Sequence, residues 1–412
     1  MTESQKARTV RDSADVVILG AGPAGLVLGN LLRAAGVDCV ILERAAREHV
    51  QTRARAGYLA QHTVRILERH GLAEGLRRRG QEHGVCEFRT EDDRFRLDYS
   101  LLGKGEQHWV YPQQELVTDL LNRYLTAGGR ICFETGAEAV RDFGGTRPTV
   151  DVRDADGRPG RWHARYVAGC DGRHGAARRS LPAGAVRRYH RDHAVTWLGL
   201  LAQAPPSLDA VGYAVHPRGF AGHMARSPEV TRYYLQVPRG TAPGAWSGER
   251  IWDELALRLG AAAHGPLRSG PIVQRAVVDL ESDVLEPLRH GSLFLVGDAA
   301  GLISPSAAKG ANLAVLEAEI LADGLTAALR HSDPDPGPLD RYSAQCLAYI
   351  WRAQEFSHWM IRLLHAEPEA GGAQDGADGG SPFQDRLRHS RLQALRSSRT
   401  QQDWFAENYV GL

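Results

Sequence analysis

One short stretch constrains this chain more than any other. Residues 15–25 read Asp-Val-Val-Ile-Leu-Gly-Ala-Gly-Pro-Ala-Gly. The β-branched, apolar run at 15–19 predicts a buried strand. Gly20, Gly22 and Gly25 follow in G-x-G-x-x-G spacing, and residues 23–33 predict a helix. Each glycine has a physical task. Gly20 permits a tight turn, Gly22 lets backbone approach a pyrophosphate, and Gly25 lets the helix pack against the strand. The helix N-terminus offers unpaired N–H groups and positive dipole to an anion. A second strand is predicted over 38–42 and ends at Glu43, where an acid meets a ribose hydroxyl. The plainer alternative, a glycine-rich turn in an ordinary βαβ unit, leaves Glu43 to chance. The pattern predicts a dinucleotide site.

Composition narrows the class. A chain of 412 residues holds two or three domains, and a formal charge of +1 predicts no nucleic-acid partner. Residues 1–13 are polar and lack the apolar core of a signal peptide, and no apolar run has membrane-spanning length. Cys39, Cys86, Cys132, Cys170 and Cys346 are scattered without a C-x-x-C pair. They read as ordinary core or surface residues of a reducing, cytoplasmic protein, with no metal site.

The remaining signals come in order. Arg44, Arg47, Arg53 and Arg55 make a basic loop after Glu43. A solvated loop is the bland reading; phosphate contacts are the more economical one beside a ribose-binding acid. Helices are predicted over 61–72 and 112–125, and His83 falls in a polar turn as a solvated group. Residues 85–102 alternate as antiparallel strands. An apolar strand runs into Asp171-Gly172, and another into Gly297-Asp298. Between them, strands over 197–203, 211–215, 219–224, 231–237 and 273–280 predict an antiparallel sheet. Helices follow over 313–329 and 339–365, the second rich in aromatics, and the apolar run 404–412 is expected to dock.

Gly20-x-Gly22-x-x-Gly25, Asp171-Gly172 and Gly297-Asp298, in this order, resemble the group A FAD-dependent aromatic monooxygenases. Arg53-Ala-Arg-Ala-Gly, His216-Pro-Arg-Gly-Phe, Arg232-Tyr-Tyr-Leu-Gln-Val-Pro, Ala308-Lys-Gly-Ala-Asn-Leu-Ala and Ala406-Glu-Asn-Tyr-Val-Gly-Leu are similar to the hydroxybenzoate-hydroxylating branch of that family. The resemblance implies an α/β fold: a Rossmann-like FAD-binding domain, an antiparallel-sheet substrate domain and C-terminal helices. The first would comprise 14–83, 110–190 and 277–331, the second 84–109 and 191–276, and the helical region 339–412.

The resemblance also implies site residues. Glu43 would contact the adenosine ribose of FAD and Asp298 the ribityl chain. Arg53, Arg55, Gln113, Lys309, Gly310 and Asn312 would lie at the cofactor, and Asp171 would lie where NADPH or NADH approaches. Arg226 and Tyr234 would hold a substrate carboxylate and Tyr213 its para hydroxyl. Tyr409 and His83 would complete a proton path, and Pro305 would offer a carbonyl near the ring. The implied reaction is hydroxylation of a small aromatic acid by O2 through a flavin C4a-hydroperoxide, in a homodimer. A non-hydroxylating flavin-dependent redox or ligand sensor is the alternative of another class.

Three positions depart from the family pattern. Met224 replaces a serine, Gly222 replaces a leucine, and Glu281 replaces an arginine associated with the nicotinamide nucleotide. Met224 cannot donate the lost hydrogen bond, and Gly222 is expected to vacate side-chain volume beside the ring. These changes favour a ring-substituted substrate such as 3-amino-4-hydroxybenzoate over plain 4-hydroxybenzoate.

Overall fold

A computed structural model describes residues 12–53, 57–91, 93–330, 337–366 and 382–411. Two sheets of different construction carry the chain. The first has six strands in the order Arg289–His290, Leu293–Leu295, Tyr166–Gly169, Val16–Leu19, Cys39–Leu42, Arg130–Cys132. All neighbours are parallel except the first pair. Its central strands are buried along their whole length, as a parallel sheet covered on both faces requires. The helix Pro23–Ala34 links two of them; proline at its first turn costs no hydrogen bond, since that N–H is unpaired in any helix. The helix Gly310–Arg330 packs beside it.

The second sheet has eight strands, in the order Gly301–Leu302, Ile272–Glu286, Arg187–Ala202, Val230–Val237, Ala221–Ser227, Val211–Ala214, Val85–Arg89, Arg94–Asp98. It is antiparallel except where Val211–Ala214 runs parallel to Val85–Arg89. The strand predicted at 273–280 continues to Glu286, because Arg187–Asp192 pairs with Glu281–Glu286 as a ribbon. That half of the partner strand, Arg-Arg-Tyr-His-Arg-Asp, is largely exposed, so it carries no apolar alternation to read.

One of two small three-stranded sheets joins Tyr58–Ala60, His108–Val110 and Gln81–His83, all antiparallel, with His108–Val110 in the middle. His83 is therefore not in a turn: it ends a strand and lies opposite His108. The sequence around it is polar because its strand is a short edge, while its ring turns inward.

The C-terminal run docks as a helix, Arg399–Val410, with the Ser398 side chain capping its N-terminus. Phe405 and Tyr409, one helical turn apart, stack at 5.0 Å between ring centroids and are buried. They join Tyr58, Tyr99 and Tyr213 in a core between the second sheet and the C-terminal helices. All five cysteines are free. Among the described residues, no helix is long and apolar enough to cross a membrane, and no cluster of potential metal ligands occurs.

Candidate functional site

The three glycine motifs follow three adjacent parallel strands at their carboxyl ends, where ligands of open α/β sheets bind. Gly20 has φ +96°, and a Cβ there would lie 2.6 Å from the Cys170 carbonyl oxygen. A Cβ on Gly25 would lie 2.0 Å from the Gly20 carbonyl oxygen. On Gly22 it would meet nothing within 4 Å. Two glycines are thus demanded by the protein's own packing, and the middle one faces open space. The helix that begins at Pro23 has no side-chain cap. An extended anion with a pyrophosphate fits this cradle.

Glu43 sits beside it. Its two carboxylate oxygens accept the N–H groups of Ala21 at 2.7 Å and Ala45 at 2.8 Å, tying the glycine turn to the end of the second strand. Asp298 lies in the turn Gly297–Ala299, and Gly297 has φ +64°. The Gly297 N–H donates to the buried carboxyl of Glu317 at 2.6 Å. Burial pushes that carboxyl up to about 8; Gly297 pulls it down and Asp298 raises it again. Glu317 carries no motif and was not foreseen from sequence.

Other expected cofactor contacts divide. Arg53 ends the helix Arg47–Thr52, Gln113 begins the helix Gln113–Thr126, and Gly310 begins the helix Gly310–Arg330. Arg55 lies outside the described residues. The Asn312 amide is committed to protein: it accepts from Ala60 N and Thr63 Oγ1 and donates to the Tyr58 and Ala308 carbonyls, all within 3.1 Å. Lys309 is buried and donates to the Tyr409 carbonyl at 2.9 Å and to the Gly411 carbonyl, holding the end of the last helix. Burial and then Arg352 lower its ammonium to about 7. Asp171 accepts the Ala177 N–H at 3.0 Å and so caps the helix Ala176–Arg179. Open space at this corner lies over Gly172, φ +80°. Glu281 is paired with Arg173 at 2.6 Å.

The second sheet assembles the other set. Tyr213 and Tyr234 both lie opposite Gly222, and Met224 lies opposite Arg232, so these side chains share one face. Gly222 does not leave a void. A Cβ there would come 2.9 Å from Phe220 Cζ, because the Phe220 ring occupies the volume expected to be vacant. Arg226 follows Met224 at a bulge in the register. It is buried, and burial followed by the charge of Arg232 lowers it to about 10. A guanidinium does not surrender its proton at neutral pH, so Arg226 stays a buried cation. Pro305 is exposed, and its carbonyl accepts the Ala308 N–H at 3.2 Å.

The Tyr213 and Tyr409 hydroxyls are 2.7 Å apart. Burial raises both phenols above their ordinary range, so neither holds a negative charge. Beyond Tyr409 stands a cluster that sequence reasoning missed: Tyr58, Tyr99 and His108, with His83. The Tyr58 hydroxyl is 2.6 Å from His83 Nδ1 and 3.1 Å from the Tyr99 hydroxyl. No linear signal marks it, since its members come from four separate segments.

A family described as FAD binding domain matches residues 13–357 of this chain. The chain is 37% identical over 398 residues to p-hydroxybenzoate hydroxylase of Acinetobacter baylyi, covering 96% of this chain and 95% of that protein. It is 30% identical over 345 residues to 3-amino-4-hydroxybenzoate 2-monooxygenase PtmB3 of Streptomyces platensis, covering 79% and 82% of the two. Its fold is that of the p-nitrophenol 4-monooxygenase of Pseudomonas putida, with TM-score 0.80, 18% identity, and 97% and 99% of the two chains covered.

Proposed function

The chain belongs to the FAD-binding-domain family of aromatic monooxygenases, and from that premise we propose that it hydroxylates a 4-hydroxybenzoate-type acid, using NADPH or NADH and O2. Bound FAD, cradled by Gly20, Gly22 and Gly25 with Glu43 and Asp298 nearby, would accept a hydride from the nicotinamide and activate O2 for electrophilic oxygen transfer.

The remaining work falls to side chains. The observation that carries the reading is one face of the second sheet: Tyr234, which acts on the buried Arg226 guanidinium, and Tyr213, whose hydroxyl pairs with that of Tyr409, both lie opposite Gly222. Arg226 offers a planar fork to a carboxylate, and Tyr234 lies close enough to perturb it. Anchoring the carboxylate orients the ring, so one carbon faces the oxidant. At the other end the substrate is a phenol. With a pKa of ~10 it is mostly neutral at pH 7, yet an electrophilic oxygen demands the electron-rich phenolate. Tyr213 can take that proton only while passing its own to Tyr409, because burial keeps it from ionising. The transfer needs no open water at the ring.

A ring-substituted substrate such as 3-amino-4-hydroxybenzoate is the second reading. Met224 favours it, since losing a serine donor to a carboxylate removes about 1.5–3 kcal/mol and suits a shifted ring. The name of the Streptomyces platensis relative points the same way. Phe220 filling the space beside Gly222 weighs against extra room there.

The test is kcat/KM for 4-hydroxybenzoate and its 3-amino, 3-hydroxy and 3-methyl analogues with FAD-loaded protein, products identified by mass spectrometry. Hydroxylated product from at least one is expected. Preference for the 3-amino acid selects the second reading, and preference for the plain acid rejects it. Tyr213→Phe should bind the preferred acid normally while NAD(P)H oxidation uncouples to H2O2. Unchanged product yield per reductant would remove Tyr213 as the phenol's proton partner.

A further inference from the structure

We propose that His365 is a positioning residue: it pins Trp197 and, through Gln236, the backbone of Phe220, and so fixes the aromatic wall against which the substrate ring lies. The inference rests on the reading that the face of the second sheet carrying Tyr213 and Tyr234 takes a hydroxybenzoate-type acid.

The sheet register brings the wall together. Trp197 lies opposite Gln236, and Gly199 lies opposite Tyr234, which on its other side faces Gly222. Side chains alternate along a strand, so Trp197, Gln236 and Tyr234 stand on the face that also carries Tyr213. Trp197 has ring centroids 5.0 Å from both Tyr234 and Phe220 and stacks on the second. Phe220 continues the row to Tyr213, 6.4 Å away. The row therefore runs from the tyrosine that acts on Arg226 to the tyrosine paired with Tyr409.

His365 reaches this wall from another element. It follows the helix Gly337–Leu364, and its N–H still donates to the Ile361 carbonyl at 2.9 Å. Its buried ring lies 5.6 Å from that of Trp197 and meets Phe220 edge-on at 5.1 Å. Trp197 Nε1 donates to His365 Nε2 at 3.2 Å. Gln236 Oε1 is 2.8 Å from His365 Nδ1 and accepts the Phe220 N–H at 3.1 Å.

Two of these groups can only donate, and they determine the others. The indole N–H needs a lone pair at Nε2, so the proton of the neutral imidazole sits on Nδ1. The Phe220 N–H needs an oxygen, so the Gln236 amide turns Oε1 toward it. Nδ1–H then donates to the same oxygen, and every link has a single arrangement. A protonated ring would lose the Trp197 bond. Burial, followed by Arg388 and His193, lowers the imidazole to about 3 and keeps it neutral.

The plainer alternative is that His365 only ties a helix end to the sheet. Apolar packing would do that without desolvating an imidazole and an amide. The bonds also go to selected groups: the indole beside Tyr234, and the backbone of the ring that stands over Gly222. Moving either would turn the substrate between its two anchors. A displacement of ~1 Å at a reacting carbon costs on the order of 100-fold in rate.

The test compares FAD-loaded wild type, His365→Phe and His365→Gln on 4-hydroxybenzoate and its 3-amino, 3-hydroxy and 3-methyl analogues. Phenylalanine keeps a buried ring without either bond, whereas glutamine keeps an acceptor for the indole and a donor for Gln236. In His365→Phe, product formed per NAD(P)H should fall at least ~5-fold with FAD content kept. The ratio of kcat/KM between the best and worst accepted acids should shrink at least ~5-fold. The indole N–H resonance of Trp197, assigned by its loss in Trp197→Phe, should shift. His365→Gln should recover coupling and selectivity, which a merely structural role would not require. Should His365→Phe fail to fold, Gln236→Met removes the shared oxygen at similar length and carries the same expectations for coupling and selectivity. Wild-type coupling and selectivity in the folded variant, or an equal loss for every acid, overturns the positioning role alone. A wild type that hydroxylates none of these acids overturns the substrate reading, and the positioning role with it.

Discussion

Gly22 and Gly222 lack the same side chain with opposite consequences. A Cβ on Gly22 meets nothing within 4 Å, whereas one on Gly222 comes 2.9 Å from the Phe220 ring. The chain's own packing requires the second to be small and leaves the first free. Gly22→Val should therefore fold, since its backbone is extended and its surroundings are open. It should purify colourless, with FAD affinity lowered at least ~100-fold by a side chain standing where the pyrophosphate lies. A melting curve and the FAD content of purified protein check this together. Normal FAD content in a folded variant would take the pyrophosphate away from Gly22.

At the scale of elements, the helix Gly310–Arg330 works from within. Its Glu317 is buried and fastens the Gly297 turn by accepting the N–H. Burial, partly offset by that bond, raises the carboxyl from 4.5 to about 8. A carboxyl raised in the folded state is protonated there and ionised in the unfolded chain. Its contribution is full below the ordinary carboxyl range and falls as pH rises toward about 8. Glu317→Gln keeps an acceptor for Gly297 without the ionisation. The variant should melt a few degrees above wild type at pH 8, with the difference shrinking toward pH 5. Parallel melting-temperature curves for the two proteins across that range would show that Glu317 does not titrate this way.

For the molecule as a whole, ion pairs tie the ribbon of the second sheet to the first domain's basic corner. Arg173 pairs with Glu281 at 2.6 Å, and Asp283 accepts from Arg178 at 3.0 Å and Arg188 at 2.8 Å. Burial would raise the Asp283 carboxyl, but the two arginines hold it below the usual range. Its contribution is thus lost only in acid, the opposite sign to Glu317, and the fold is bounded by titration on both sides. Glu281 bears on the reductant. It neutralises Arg173 at the corner where a nicotinamide nucleotide is expected, and Glu281→Arg would leave two cations there. The KM for NADPH should fall about 3- to 10-fold, and less so at high salt. An unchanged or higher KM would put position 281 off the reductant's path.

Local chemistry made part of this protein legible. A tight turn, a close helix contact and a bare backbone each require glycine, so Gly20, Gly22 and Gly25 announce the first domain without any long-range information. Short β-branched runs and the periodic helices likewise carry their own signal. The exposed, charged half of Arg187–Ala202 does not, because its strand exists through pairing with Ile272–Glu286. His83 reads as a polar turn residue until the strand His108–Val110 lies beside it. The Phe220 ring over Gly222, the Glu317 carboxyl under Gly297 and the Tyr58–Tyr99–His83 cluster all join residues distant in the chain. Which polar groups share a buried space, and so shift one another's protons, is decided by packing between segments. Only the tertiary structure contains that packing.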